Sequence, residues 1–380
     1  MYNIKKIIWN KFKFWHLVLL LTICCFIFIF YRPQYGQIIR SNALEDLDSV
    51  ILITPVSPVS KLDSPNKVFL INKRAQEIHS WILSKKSFVS MLDDDRNLWS
   101  LHICKECNMI LGEGDEISKY NWSGKLMRTI KGHRFVRDFD ILPDDHIAAI
   151  SLENNPAFLE HIKKNKYSER LLIFDSRGEI VWDWSIENYL NNFTFTPKLT
   201  SLELSYFNSI RYTNKNPINQ TPALIVSARN FNSVFILEIK TKKILWISPN
   251  GLFNFQHDAT LLENGNLLVF NNGVINGDVL TSVVEINPKT NKIVQNYNGG
   301  GNWRFMISTM GSAQRLNNGN TLISTGASGQ IFEINGQQNV VWNYLLPIRS
   351  KNNLIQTNNY WQSDFIYRAR MYNLSKFKAE

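Results

Sequence analysis

The chain has 380 residues, room for two or three average domains or one large β domain. With 44% apolar and 19% charged residues it has ordinary globular composition, which excludes disordered, collagenous and low-complexity classes. The formal net charge is +10, but Lys5, Lys6, Lys11, Lys13 and Arg32 place about half of the excess at the N-terminus, with no acid among them. The remainder is only mildly basic, which argues against a nucleic-acid partner, since that calls for cations concentrated on the folded part.

Residues 1–13 read as a basic cytoplasmic N-terminus. Phe14–Tyr31, FWHLVLLLTICCFIFIFY, is an uncharged run near the minimum length for a spanning helix. The lysines before it orient the C-terminal body out of the cytoplasm. The run ends in bulky residues and Arg32 rather than at a small-residue cleavage site, so it reads as an uncleaved signal-anchor. The expected localisation is therefore single-pass membrane, with an extracytoplasmic body (periplasmic in a bacterium). Residues 32–65, with Pro33, Pro55, Pro58 and Pro65, read as a stalk with room for a short strand at Val50–Ile53.

From residue 66 to 380 one unit recurs. It combines apolar strands, a second strand ending near an aromatic, and a turn opened by leucine. Ile180-Val-Trp182, Ile244-Leu-Trp246 and Val340-Val-Trp342 repeat one part of it. Leu262-Glu-Asn-Gly-Asn266 and Leu316-Asn-Asn-Gly-Asn320 repeat another, with Asn-Gly at the tight turn of a hairpin. The spacing predicts an all-β fold, a six-bladed β-propeller, with one chain end completing a blade begun by the other. Insertions at 103–119, 154–168 and 185–205 are expected as surface loops. A row of separate sandwiches would need linkers between units, and none is present.

Phe255-Gln-His-Asp-Ala-Thr-Leu-Leu-Glu-Asn-Gly-Asn266 resembles the arylsulfotransferase family. So do Gly311-Ser-Ala-Gln-Arg-Leu316, Asn208-Ser-Ile210 with Ser227-Ala-Arg229, and the C-terminal Phe365-Ile-Tyr-Arg-Ala-Arg-Met-Tyr372. The resemblance covers most of 66–372 and implies the same six-bladed fold. It also implies extracytoplasmic transfer of a sulfuryl group from an aryl sulfate ester to a phenol, with no nucleotide sulfate donor.

Propeller sites sit on the central axis. Counting back from the turn leucines places Arg137, His257 and Gly311 at one level, and Asp138, Asp258 and Ser312 beside them. The resemblance implies that His257 is the nucleophile, forming a sulfohistidine, and that Arg229 binds the sulfate with a planar fork. Two further family histidines align with Arg137 and Tyr206. Arg137 is expected to hold a sulfate oxygen and the Tyr206 hydroxyl to donate, but neither shuttles protons near neutral pH; Asn208 joins them as a substrate contact. The plain alternatives are a structural histidine at 257 and a rim ion pair at 229. His133 lies near the first gap. The second functional reading is a non-catalytic propeller that binds a ligand or protein at the same axial mouth. Cys104-Lys-Glu-Cys107 reads as a local disulfide in an oxidising compartment. No metal and no cofactor is indicated, since a fourth zinc ligand, a Walker motif and a GxGxxG pattern are all lacking. The expected partners are small aryl sulfates and phenols, and the membrane through the N-terminal helix.

Overall fold

A computed structural model describes residues 37–41, 48–56, 66–104, 112–154, 167–187, 189, 203–275, 278–299, 307, 309–346 and 365–377. The expected membrane span and the basic segment before it lie outside these residues. Among the described residues no helix is long and apolar enough to cross a membrane.

The chain folds into antiparallel sheets whose strands mostly follow one another in sequence order. Phe207–Thr213, Ala223–Ala228, Ser233–Glu238 and Ile244–Ile247 form one four-stranded sheet. His257–Leu261, Leu267–Asn271, Ser282–Asn287 and Lys292–Tyr297 form the next. Ser312–Arg315, Thr321–Ser324, Gln330–Ile334 and Val340–Leu345 follow, with Gln37–Ser41 added at the outer edge. A seven-stranded sheet runs from Ser87–Leu92 to Ile180–Ser185. Its long strand Leu126–Ile141 changes partner along its length: Leu126 to Val136 pairs with Glu113–Tyr120, and Phe135 to Ile141 pairs with Ile147–Asn154. Apolar residues on both faces of the sheets fill cores between neighbours. Ala223, Ile225, Val234 and Ile236 of one sheet meet Ala259, Leu267, Val269 and Val284 of the next. This is a β-propeller.

The two chain ends meet. Arg370–Asn373 pairs with Ser49–Ile53 (Val50↔Tyr372, Leu52↔Arg370), which pairs in turn with Asn66–Asn72. The sheet region therefore begins before residue 66, inside the stretch expected as a stalk. The prolines around Ser49–Ile53 suggest a linker, yet all five of its residues are buried. Likewise 103–119 is not all loop. Its acidic composition hides strand Glu113–Tyr120, which lies between two partners.

Ser87–Leu92, Phe207–Thr213, His257–Leu261, Ser312–Arg315 and Arg370–Asn373 each stand at a sheet edge and would present unpaired N–H groups there. Side chains from the neighbouring inner strand satisfy them. The Ile210 N–H donates to Asp138 Oδ2 (2.9 Å), Tyr212 N–H to Asp140 Oδ2 (2.7 Å) and Ala259 N–H to Ser209 Oγ (3.1 Å). Ala313 N–H donates to Asp258 Oδ2 (3.3 Å), Met371 N–H to Gln314 Oε1 (2.7 Å) and Leu92 N–H to the Tyr372 hydroxyl (3.2 Å). At the rim, tryptophans of the outer strands reach the next sheet. The indole N–H of Trp81 donates to Asn121 O (3.1 Å), Trp182 to Ile239 O (2.8 Å), Trp246 to Asn291 Oδ1 (2.8 Å) and Trp342 to Lys73 O (2.8 Å).

Candidate functional site

The inner strands begin with irregular backbone. A bulge separates Phe207↔Ala228 from Ser209↔Ser227, and another separates His257↔Phe270 from Ala259↔Val269. Arg137, Tyr206, Phe255, Asp258 and Met310 have left-handed φ of 60°, 50°, 53°, 39° and 62°. Non-glycine residues rarely hold such angles, and bulges of this kind re-aim side chains. The bulge also shows that Phe207, not Tyr206, stands at the register of His257. Asn208 and Asp258 share the bulge position itself.

His257 is buried, at 2% exposure. Its Nδ1 lies 2.7 Å from Asn272 Oδ1 and 3.1 Å from Phe255 O. Both are acceptors, so Nδ1 carries the proton. Met310 N–H donates to Nε2 at 3.3 Å, which requires a lone pair there. The two ends of the ring thus specify the same neutral tautomer. Burial, and next the charges of Arg229 and Arg137, push the imidazole pKa down to about 3 against the raising effect of its hydrogen bonds. His257 is therefore neutral at physiological pH.

Arg229 follows strand Ala223–Ala228 in a short 3-10 turn. Its guanidinium lies over the Phe255 ring (4.3 Å) and the Tyr206 ring (4.9 Å). Its guanidinium makes a long bond to Asn230 Oδ1 (3.5 Å), and its buried Nε has no hydrogen-bond partner. Among the described residues no carboxylate pairs with it. Burial lowers its pKa, a sign that the charge is held in place without full compensation.

Arg137 differs from its expected role. It is 1% exposed and its fork is occupied: Nη1 meets Glu203 Oε2 (2.6 Å), Nη2 meets Glu169 Oε1 (3.3 Å) and Nε donates to Phe207 O (2.6 Å). Glu169, from strand Tyr167–Phe174 of the same sheet, and Glu203 hold it as a structural cation. Tyr206 enters through its ring, which receives Arg137 at 4.1 Å as well as Arg229. Asn208 is fully buried. Its Nδ2 donates to Gln256 O (2.8 Å), its carbonyl accepts from the Tyr367 hydroxyl (2.7 Å) and its Oδ1 has no hydrogen-bond partner. His133 packs against Phe174 (5.2 Å), with Glu153 and Arg170 as its charged neighbours, so it does not fill the first gap.

Asp138 and Asp258 come together through shared arginines, to which the sequence reading assigned no role. Arg368 pairs with both, through Nη1 to Asp138 and Nε to Asp258 (3.1 Å). Arg211 also bridges them, at 2.9 Å and 3.4 Å, and Arg370 reaches Asp258 at 3.5 Å. Glu169 was missed, and Asn272 was given no role. Asn272 had a usable signal, the Asn-Asn-Gly273 that ends the strand after His257. Cys104 is disulfide-bonded, its partner lying outside the described residues. Among the described residues no cluster of His, Cys, Asp or Glu is arranged to hold a metal ion.

Among solved structures, a protein of unknown function from Bacteroides caccae matches at 15% identity and a TM-score of 0.52, over 78% of this chain and 93% of its own. A streptogramin B lyase matches at 13% identity and 0.46, over 82% of this chain and 87% of its own. The WD40 propeller domain of Doa1 matches at 11% and 0.46, over 83% and 87%. At these identities the likeness concerns the fold alone. No curated protein matches the chain. The family profile described as Arylsulfotransferase (ASST) matches residues 120–346, a span that includes His257, Arg229, Arg137, Tyr206 and Asn208. The chain therefore belongs to the arylsulfotransferase family.

Proposed function

We propose that the protein transfers a sulfuryl group from an aryl sulfate ester to a phenolic acceptor through His257. One observation carries this reading: a neutral imidazole with its lone pair on Nε2 lies beside a guanidinium that no described carboxylate neutralises. Nε2 attacks sulfur, an N–S bond forms, and the S–O bond to the aryl group breaks. The aryl oxide leaves with the electron pair and takes a proton from water. In the second half the acceptor oxygen attacks sulfur, the pair returns to Nε2 and the acceptor's proton passes to water. Arg229 balances the charge on the sulfuryl oxygens. The 3.3 Å contact from Met310 N–H is long enough to yield Nε2 when a donor arrives.

The test is incubation of the soluble body, residues 34–380, with a chromogenic aryl sulfate, with and without a phenolic acceptor. Wild type releases phenol and gains one sulfuryl mass on the peptide carrying His257. His257→Asn does neither. Equal turnover by the variant defeats the histidine mechanism.

A binding-only propeller is favoured by one observation, the complete pairing of Arg137 with Glu169 and Glu203, which leaves one open cation where two were expected. Sulfate binding by both proteins with turnover by neither would establish it.

Two further readings complete the proposal. The propeller has six blades, the long strand Leu126–Ile141 serving two of them. The chain of side-chain bonds between inner strands supports this count. The body is held outside the cytoplasm by the apolar run 14–31, and a mature N-terminus near residue 34 would contradict that.

A further inference from the structure

The ring of His257 is held on two sides by a single residue and the segment it anchors. Asn272 is fully buried at the end of strand Leu267–Asn271. The residue after it, Gly273, has φ of 63°, and a Cβ there would stand 2.2 Å from Leu280 O. Only glycine fits, so the backbone at 272 has one path. The side chain is equally determined. Its Nδ2 donates to Ile307 O (2.8 Å) and Met310 O (2.9 Å). Two carbonyls can only accept, so the amide cannot be flipped, and Oδ1 must face His257 Nδ1 at 2.7 Å. The same amide thus holds the Met310 backbone whose N–H points at Nε2. Thr281 braces the segment from behind, its Oγ1 accepting from Ile307 N–H at 2.7 Å.

We propose that Asn272 is the positioning residue of this site: it keeps the imidazole proton on Nδ1 and so selects Nε2 as the nitrogen that attacks sulfur. The hydrogen bond at one ring nitrogen decides the state of the other. This rests on the reading of His257 as nucleophile, and it adds which atom reacts and what chooses it. The Phe255 carbonyl at 3.1 Å is a second, longer acceptor for the same proton. It cannot hold Met310 in place, so it replaces only part of what Asn272 does.

Two substitutions separate this role from simple bracing. Asn272→Leu removes the acceptor and both donors. Asn272→Asp keeps the acceptor and loses both donors, while placing a negative charge that favours imidazolium. The Leu variant is expected to lose about 10–100-fold in kcat at every pH, in the range typical of groups that orient a reacting histidine, with KM little changed. The Asp variant is expected to recover kcat at alkaline pH and to lose it on acidification at a higher pH than wild type, because its imidazole protonates sooner. An Asp variant as impaired as Leu at all pH values would assign the effect to the lost donors and overturn the proposal. Nitrogen-15 NMR of the imidazole in substrate-free protein reads the tautomer directly. Wild type should show the proton on Nδ1 and the Leu variant a population with it on Nε2; an unchanged tautomer in a folded Leu variant also overturns the proposal. If Leu does not fold, the Asp pH profile and tautomer decide alone. If the tautomer shifts as expected but wild type turns over no aryl sulfate, the positioning role stands and the transferase reading falls.

Discussion

Two groups of buried and half-buried arginines lie near the starts of the inner strands, and they differ in what faces them. Arg211, Arg368 and Arg370 face Asp138 and Asp258, with a carboxylate within reach of each guanidinium. Arg137 faces Glu169 and Glu203 in the same manner. Arg229 faces aromatic rings and a neutral histidine. A buried cation matched by carboxylates is part of the scaffold, because removing either partner strands a charge in low dielectric. A half-buried cation left with rings and an imidazole is suited to receive an anion from outside. The same residue type therefore builds the ring in one place and a binding site in another, and the difference lies in the missing carboxylate.

One pair of identical substitutions puts this contrast to the test. Arg137→Met leaves Glu169 and Glu203 confronting each other in the interior and should cost about 3–5 kcal/mol of stability in denaturant unfolding. Burial and Glu203 already hold the Glu169 carboxyl well above the usual range. Arg229→Met should leave stability within about 0.5 kcal/mol or raise it slightly, since no ion pair is broken. Its loss appears with ligand. Sulfate at a hundred times its dissociation constant should add about 2.7 kcal/mol to wild type and little to the variant. If both arginines behave alike in either assay, the distinction between scaffold and site is wrong.

The rim offers a milder comparison. Trp342→Phe removes the indole donor to Lys73 O at the junction between the last sheet and the first, at a cost of about 1 kcal/mol in unfolding free energy. A cost of several kcal/mol would mean that this seam, rather than the axis, carries ring closure.

The smallest effect at neutral pH belongs to His257. Its pKa in the folded protein, about 3, lies below the ordinary histidine value, so the unfolded chain binds the proton first. Stability from the neutral ring is fully present above about pH 6.5 and is lost as pH falls toward the folded value. His257→Asn should therefore lose less stability than wild type between pH 7 and pH 4. An equal loss in both would mean that the imidazole is not shielded as described.

Much of the ring was legible because its signals are local. Leu262 and Leu316 each open a turn that closes on Gly265 or Gly319, their N–H groups returning to the leucine carbonyl at 2.9 Å and 3.0 Å. Counting from those turns brought together Asp138 and Asp258, which Arg211 and Arg368 bridge. The charge partners were not legible, because they come from distant segments. Arg368 meets Asp138 across 230 positions, and Arg137 meets Glu203 across 66. Glu203 also fell in a stretch expected as surface loop, where an acidic residue carries no sign of burial. Tyr206 read as a hydroxyl donor because a histidine was expected there, and the sequence does not show that its ring receives both Arg137 and Arg229.

The strand supplied by the far end of the chain also bears on how the protein is made. Arg370–Asn373 covers the open edge of Ser49–Ile53, and Arg368 just before it joins Asp138 to Asp258. A nascent chain lacking this segment has an exposed strand edge, and Asp138 and Asp258 are left with Arg211 as their shared cation. The open edge is covered by no strand made earlier. The pairing also spans nearly the full length of the chain, so its loop-closure entropy must be met before any return. Closure of this sheet therefore waits until Arg370–Asn373 has been made, and a product that stops before it remains open and recognisable to proteases. The C-terminal strand acts as a check on completeness.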